Sequence, residues 1–197
     1  MKRIAVLVSG GGTNLQAILE SERHGENPNG QVVLVVASKP GVYALTRAEN
    51  FGVKTAVVPR KNFAKSEDFD AALLDVLREN AIDLVVLAGF LSVLGPSVIE
   101  AYPNRILNVH PSLIPSFCGP GFYGLRVHEA ALARGVKVTG ATVHFVNEEC
   151  DGGPILLQKA VAVQPGDTPE TLQKRVMVEA EWELLPRAIA LVCNEEV

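Results

Sequence analysis

The stretch Leu107-Asn-Val-His-Pro-Ser-Leu-Ile-Pro115 sets a side-chain amide, Asn108, two residues before an imidazole, His110, where an apolar run meets two prolines. Side chains of a strand alternate between faces, so residues i and i+2 point the same way. A strand over residues 105–109 then presents Asn108 and His110 together at its C-terminal end, where open α/β sheets bind ligands. An amide donor beside a titratable donor suits a carbonyl oxygen that gains negative charge during a reaction. Pro111 and Pro115 keep the following segment extended and so fix the direction of the imidazole.

Three further groups belong to the same chemistry. Asp151 precedes Gly152-Gly153-Pro154, so a tight turn can aim its carboxylate. A carboxylate beside an imidazole favours the charged ring, and the imidazolium could then donate to an oxyanion. Thr142 and His144 form a second i, i+2 pair, flanked by Val143 and Phe145, and are expected to support the site rather than react. Serine hydrolysis does not fit, because Ser112 follows His110 and no Gly-x-Ser-x-Gly elbow is present.

An anion site is expected at Ser9-Gly-Gly-Gly-Thr-Asn-Leu-Gln16, which follows the first apolar run and opens a helix. Glycines let a ligand approach the backbone, and a helix N-terminus offers free N–H groups and partial positive charge. Thr13 and Gln16 have the spacing of a capping box. The dinucleotide version needs a third glycine where Leu15 stands and an acid where Ala37-Ser-Lys39 stands, and no Gly-Lys-Ser/Thr follows for a Walker loop. A single phosphate remains.

The elements that must position these groups alternate. Short, Val- and Ile-rich runs at 4–8, 32–37, 54–58, 84–87 and 105–109 are predicted as parallel strands covered on both faces. Helices are predicted at 13–24, 41–51, 66–80 and 96–101, giving β-α alternation and right-handed crossovers. Two longer strands follow at 137–145 and 155–163, with Asp151-Gly-Gly-Pro154 as their turn. Asp167-Thr-Pro-Glu170 predicts a helix start with an Asp cap, and the helix beyond is expected to bend or break near Pro186. The loop 117–124, rich in glycine and aromatic residues, is either a lid or a static connector. The expected fold is an open, mostly parallel Rossmann-like α/β sheet with helices on both faces, a C-terminal strand pair and a long C-terminal helix. It forms one domain over 1–197, with a nucleotide-binding half at about 1–103 and a catalytic half at about 104–197.

The 197 residues are 48% apolar and 20% charged, with net charge −4, which argues against nucleic acid or an anionic membrane as partner. Cys118, Cys150 and Cys193 are odd in number and scattered without zinc spacing. Neither a disulfide framework nor a metal is expected, and a reducing, cytoplasmic setting is. Five apolar residues before Ser9-Gly10 are too few for a signal peptide, and no run reaches the ~18 of a membrane span.

With Val86-Leu-Ala-Gly-Phe90 and Gly140-Ala-Thr-Val-His-Phe-Val146 added, these motifs resemble, in order and over nearly the whole chain, the folate-dependent glycinamide ribonucleotide formyltransferase family. The resemblance implies the formyltransferase fold and transfer of a formyl group from 10-formyltetrahydrofolate to the amine of 5-phosphoribosyl-glycinamide in purine biosynthesis. It implies that Asn108, His110 and Asp151 are catalytic. It puts Gly12, Thr13, Asn14, Leu15 and Gln16 at the ribonucleotide phosphate, and Glu181, with Glu179 as competitor, at a further ribonucleotide contact. The folate pocket falls on Leu91, Ser92, Val93 and Leu94, together with Asn108, Asn147, Glu148, Glu149, Cys150 and Asp151. Ser66, with Lys65 beside it, falls where the family has a basic residue for the folate tail. The chain departs from the family at Ser92, where some members have arginine, at Ser66, and by one extra residue before Glu181-Trp182.

The resemblance leaves a monomer or a homodimer open. Two rival readings are a 10-formyltetrahydrofolate deformylase, expected to carry a further N-terminal regulatory domain, and a non-catalytic ligand-sensing relative. Methionyl-tRNA formyltransferase is expected to carry an added C-terminal RNA-binding region and a different charge.

Overall fold

Residues alternate between two cores along the first strand, which is what a sheet covered on both faces requires. In β1 (Lys2–Val8), Ile4, Val6 and Val8 join a core of 29 buried residues, while Ala5 and Leu7 join a second core of 16. The computed structural model describes residues 1–197. The remaining strands are β2 (Gly30–Ala37), β3 (Lys54–Val57), β4 (Leu84–Leu87), β5 (Ile106–His110), β6 (Val138–Phe145) and β7 (Ile155–Ala162). They form one seven-stranded sheet of order β3-β2-β1-β4-β5-β6-β7. The first five strands in that order are parallel, and β6 and β7 are antiparallel additions.

The helices are α1 (Thr13–Arg23), α2 (Tyr43–Asn50), α3 (Ser66–Glu79), α4 (Pro96–Ala101), α5 (Leu125–Arg134), α6 (Pro169–Val176) and α7 (Trp182–Cys193). Phe69 and Leu73 of α3 and Val98 of α4 fill the smaller core; α1, α2, α5, α6 and α7 cover the other face. No helix is long and apolar enough to cross a membrane.

Two local features differ from expectation, and one helix was not predicted. The α6 cap is Thr168, whose hydroxyl accepts from Thr171 N, and not Asp167. Arg175 draws the Asp167 carboxylate into a two-pronged ion pair, with Nη1 to Oδ2 and Nη2 to Oδ1 each at 2.6 Å. The irregularity in the C-terminal helix is not at Pro186, which sits inside α7, but upstream, in a π-helical turn at Met177–Glu181. The α5 helix carries too weak an apolar stripe to be predicted, since only Val127, His128 and Ala131 are buried. Gly135, in the left-handed conformation, ends it.

His128 is fully buried, and neither ring nitrogen has a partner. Burial first, and the neighbouring charge of His110 second, push its pKa down from 6.5 to about 4. A ring that stays neutral when folded but takes a proton when unfolded favours the unfolded state in acid. Its contribution to stability is therefore whole above pH 6.5 and is lost progressively as pH falls toward 4. Between pH 7 and pH 5 the loss is expected to be about 2 kcal/mol. Urea unfolding of wild type and His128→Leu at both pH values checks this. The variant should lose less by that amount, and equal losses would dismiss the assignment.

Candidate active site

The β5 strand begins one residue later than predicted and ends on His110, so Asn108 and His110 leave the sheet at its carboxyl edge. The antiparallel register sets Asn108 opposite His144 and His110 opposite Thr142. Directly opposed residues share a face, so the two i, i+2 pairs form one four-residue patch. His110, Thr142 and His144 are all buried.

Asp151 reaches this patch from the β6–β7 connection. Its backbone is left-handed, φ 56°, which aspartate tolerates. Gly153 is obligatory there, because an added Cβ would run into the Phe145 carbonyl. Asp151 Oδ2 lies 3.5 Å from His110 Nδ1, and Oδ1 lies 3.7 Å from His144 Nε2. Burial raises the carboxyl's pKa, but His144, the Gly119 N–H and the charge of His110 together hold it below the usual carboxylate range.

Hydrogen bonding fixes the tautomers. His144 Nδ1 lies 2.8 Å from the Phe145 carbonyl, which only accepts, so Nδ1 carries the proton. In the neutral ring Nε2 then accepts from Asn108 Nδ2 at 3.1 Å. The second N–H of Asn108 faces Asp151 Oδ1 at 3.5 Å, long enough to be weak and easily surrendered. The Thr142 hydroxyl donates to the Ser112 carbonyl at 2.7 Å and accepts from Ile114 N at 3.1 Å. It pins the segment leaving β5.

That segment returns over the site. The Phe117 carbonyl lies 2.8 Å from His110 Nε2, so Nε2 carries a proton and donates to it. Two residues on, Gly119 N–H donates to Asp151 Oδ2 at 2.9 Å. The loop 117–124 therefore touches both groups through its backbone. Cys118 between them and Cys150 beside Asp151 are no activated nucleophiles, since burial and then the Asp151 charge push both thiols up.

At the glycine turn Gly12 is the N-cap of α1, with φ 74° and no side-chain bond, so the Thr13–Gln16 capping box does not form. The Thr13 hydroxyl faces Met177 Sδ at 3.8 Å. Gln16 bonds Glu20 and Arg47 through its side chain, and its backbone N–H is spent on the Gly12 carbonyl at 2.9 Å. Leu15 is wholly in the core. What the helix start offers an anion is thus the free N–H groups of Thr13, Asn14 and Leu15. Gly12 must be glycine, because a Cβ would lie 2.7 Å from that of Ala44 on α2.

Of the two competing glutamates, Glu181 is buried and accepts from Asn14 Nδ2 at 2.8 Å, while Glu179 is exposed. Burial pushes the Glu181 carboxyl up, opposed in part by that bond. The π turn ends on Glu181, so the wider turn is what aims it inward. Asn14 Oδ1 is buried without a partner.

The 91–94 segment leaves β4 between these two clusters. Leu91 N–H donates to Ser9 Oγ at 2.9 Å, and Ser9 shares a hydrogen bond with Ser38 at 2.6 Å. Leu91 and Val93 are exposed, whereas Leu94 is buried in the α3–α4 core. Asn147, Glu148, Glu149 and Cys150 are all exposed, and Asn147 Oδ1 caps the turn by accepting from Glu149 N at 3.0 Å. Ser66 and Lys65 sit at the exposed start of α3 and make no hydrogen bond to the cluster. The structure thus brings together Asn108, His110, His144 and Asp151, and separately Gly12 to Asn14 with Glu181. Phe117, Gly119 and Arg47 escape sequence reasoning. The first two act through backbone atoms, and the third lies on a helix with no motif.

An open α/β sheet with an amide, an imidazole and a carboxylate gathered at the carboxyl edge, and a glycine-led helix start two strands away, is the frame of a Rossmann-like group-transfer enzyme. The model of the family described as formyl transferase matches residues 2–189. The chain belongs to that family and, within it, to the phosphoribosylglycinamide formyltransferases. It is similar to a solved structure of glycinamide ribonucleotide transformylase 1 from Symbiobacterium toebii, with TM-score 0.92 and 45% identity over 99% of this chain and 89% of that one. The chloroplastic phosphoribosylglycinamide formyltransferase of Arabidopsis thaliana is 43% identical over all of this chain and 67% of its own. The trifunctional purine biosynthetic protein adenosine-3 of Homo sapiens is 44% identical over 99% of this chain, which spans only 19% of that protein.

Proposed function

We propose that this chain transfers the formyl group of 10-formyltetrahydrofolate to the primary amine of 5-phosphoribosyl-glycinamide. The observation that carries the reading is the His110–Asp151 pair at 3.5 Å, with Asn108 beside it at the edge of β5. The amine attacks the formyl carbon and a C–N bond forms. The carbonyl electron pair moves to oxygen, where His110 Nε2–H and the weakly engaged N–H of Asn108 receive it. Nε2 already donates to a carbonyl oxygen, that of Phe117, so the formyl oxygen replaces one acceptor with another of the same kind. Asp151 balances the imidazolium. Directly or through a water it passes the amine proton to the folate nitrogen, whose C–N bond then breaks to give formylglycinamide ribonucleotide and tetrahydrofolate.

The phosphate sits against the N–H groups at Gly12 to Leu15, with Gln16 behind them. Glu181 and Asn14 take the ribose hydroxyls, one of which would satisfy the orphan Asn14 Oδ1. Backbone and side chains of Leu91 to Val93 and of 147–151 hold the pterin, and Ser66 and Lys65 face the folate tail. One sheet runs through both halves of the chain, so we treat 1–197 as a single domain, monomer or homodimer, working in the cytoplasm.

Incubation with 10-formyltetrahydrofolate, with and without the glycinamide ribonucleotide, tests this. Formyl loss is expected only when the acceptor is present. Loss without it would make the protein a hydrolase, and no loss in either tube would make it a binding protein.

A further inference from the structure

We propose that Arg47 of α2 is a positioning residue for substrate phosphate: it holds the Gly11–Gly12 peptide with its carbonyl turned away from the anion and its N–H turned toward it. The inference rests on the assignment of the turn at Gly12 to Gln16 to the phosphate group. Arg47 Nε donates to the Gly11 carbonyl at 2.8 Å, and Nη1 donates to the Gln16 side-chain oxygen at 2.9 Å. The guanidinium is also stacked on Tyr43, 4.8 Å from the ring centroid. One rigid fork thus grips the peptide just before the N-cap and the end of the first helical turn.

The reason for such a grip lies in the glycines. A Cβ added at Gly11 would meet nothing within 4 Å, so packing on Ala44 restrains only the Gly12 end of this peptide and leaves the Gly11 carbonyl to be held by Arg47. Glycine on both sides of it also removes the usual backbone restriction. A trans peptide sets its C=O and N–H in opposite directions. Drawing the Gly11 carbonyl onto α2 therefore turns the Gly12 N–H to the opposite side, where it joins the N–H groups of the α1 terminus. Released from Arg47, the Gly11 carbonyl loses its hydrogen-bond donor, and its dipole can turn toward the anion and repel it. Lysine is no substitute, because a single ammonium on a flexible stem cannot reach two acceptors as a planar fork does.

The test compares wild type, Arg47→Met and Arg47→Lys with 5-phosphoribosyl-glycinamide and with ribosyl-glycinamide, which lacks the phosphate. Inorganic phosphate serves as a competitive probe. Arg47→Met is expected to raise KM for the phosphorylated acceptor about tenfold. It should weaken inhibition by inorganic phosphate to the same extent, with kcat and the folate KM unchanged. KM for ribosyl-glycinamide should not move, and Arg47→Lys should recover only a minor part of the loss. Equal penalties on both acceptors, or full recovery with lysine, would overturn the role. A wild-type enzyme that uses both acceptors equally well would instead overturn the phosphate assignment, and the inference with it.

Discussion

Replacing His110 by alanine is expected to lower kcat by about 10²–10³, the usual cost of removing one preorganised donor from a developing oxyanion. The side chain is nearly buried and its Nε2–H has a fixed direction, set by the end of β5 and by Asp151 at Nδ1. Its removal leaves the Asn108 N–H as the remaining donor. The glycine turn and Glu181 lie on other elements, so affinity for the ribonucleotide should persist. The protein's single tryptophan, Trp182, adjoins Glu181 and gives a fluorescence titration for that binding. Unchanged turnover would remove His110 from the mechanism. Lost ribonucleotide binding would show that the two clusters are not separable.

Asp151→Asn is expected to lower kcat by about 10², the low end of what a positioned acid–base group contributes. An amide in this place still accepts from Gly119 N–H through an oxygen beside His110, and its NH₂, in the place of Oδ1, faces His144 Nε2. His110 then keeps its Nε2 proton but loses the negative charge that balances an imidazolium, so the donor survives without its charge. The pH dependence discriminates further. A carboxyl held below its ordinary value keeps its charge above the unfolded value of 3.8 and loses it only as pH falls through the lower folded value. The Asp151 carboxyl carbon, followed by 13C NMR in the wild-type protein, should therefore keep the shift of a carboxylate from about pH 5 upward. A resonance that moves between pH 7 and pH 5 would mean that Asp151 takes up its proton in that range and is not held ionised.

How much of this was legible follows from what residue types encode. The apolar runs located every strand within a residue or two, most sharply the inner parallel strands, which are covered on both faces and so must be apolar throughout. Asn108 with His110 and Thr142 with His144 were legible as pairs, since period two is a property of any strand. Their meeting was not, because the register that sets Asn108 against His144 is a property of two strands at once. Asp167 and Thr168 both suit a helix cap, and only the position of Arg175 decides between them. The hold of Phe117 and Gly119 on the catalytic pair is made by a carbonyl and an N–H that every residue but proline possesses, so no side chain announces it. The α5 helix was missed because its inward face carries a histidine and few large apolar groups.

The π turn at Met177–Glu181 sets the phase between the two C-terminal helices. An extra residue in a regular α-helix rotates everything beyond it by about 100°. Here it would swing either Glu181 away from Asn14 or α6 away from the sheet. A single widened turn takes in one residue more than a regular turn holds, so the helices on either side of it both keep an apolar face in the core. An irregularity at this point costs neither the buried carboxylate nor the packing of the helix that follows.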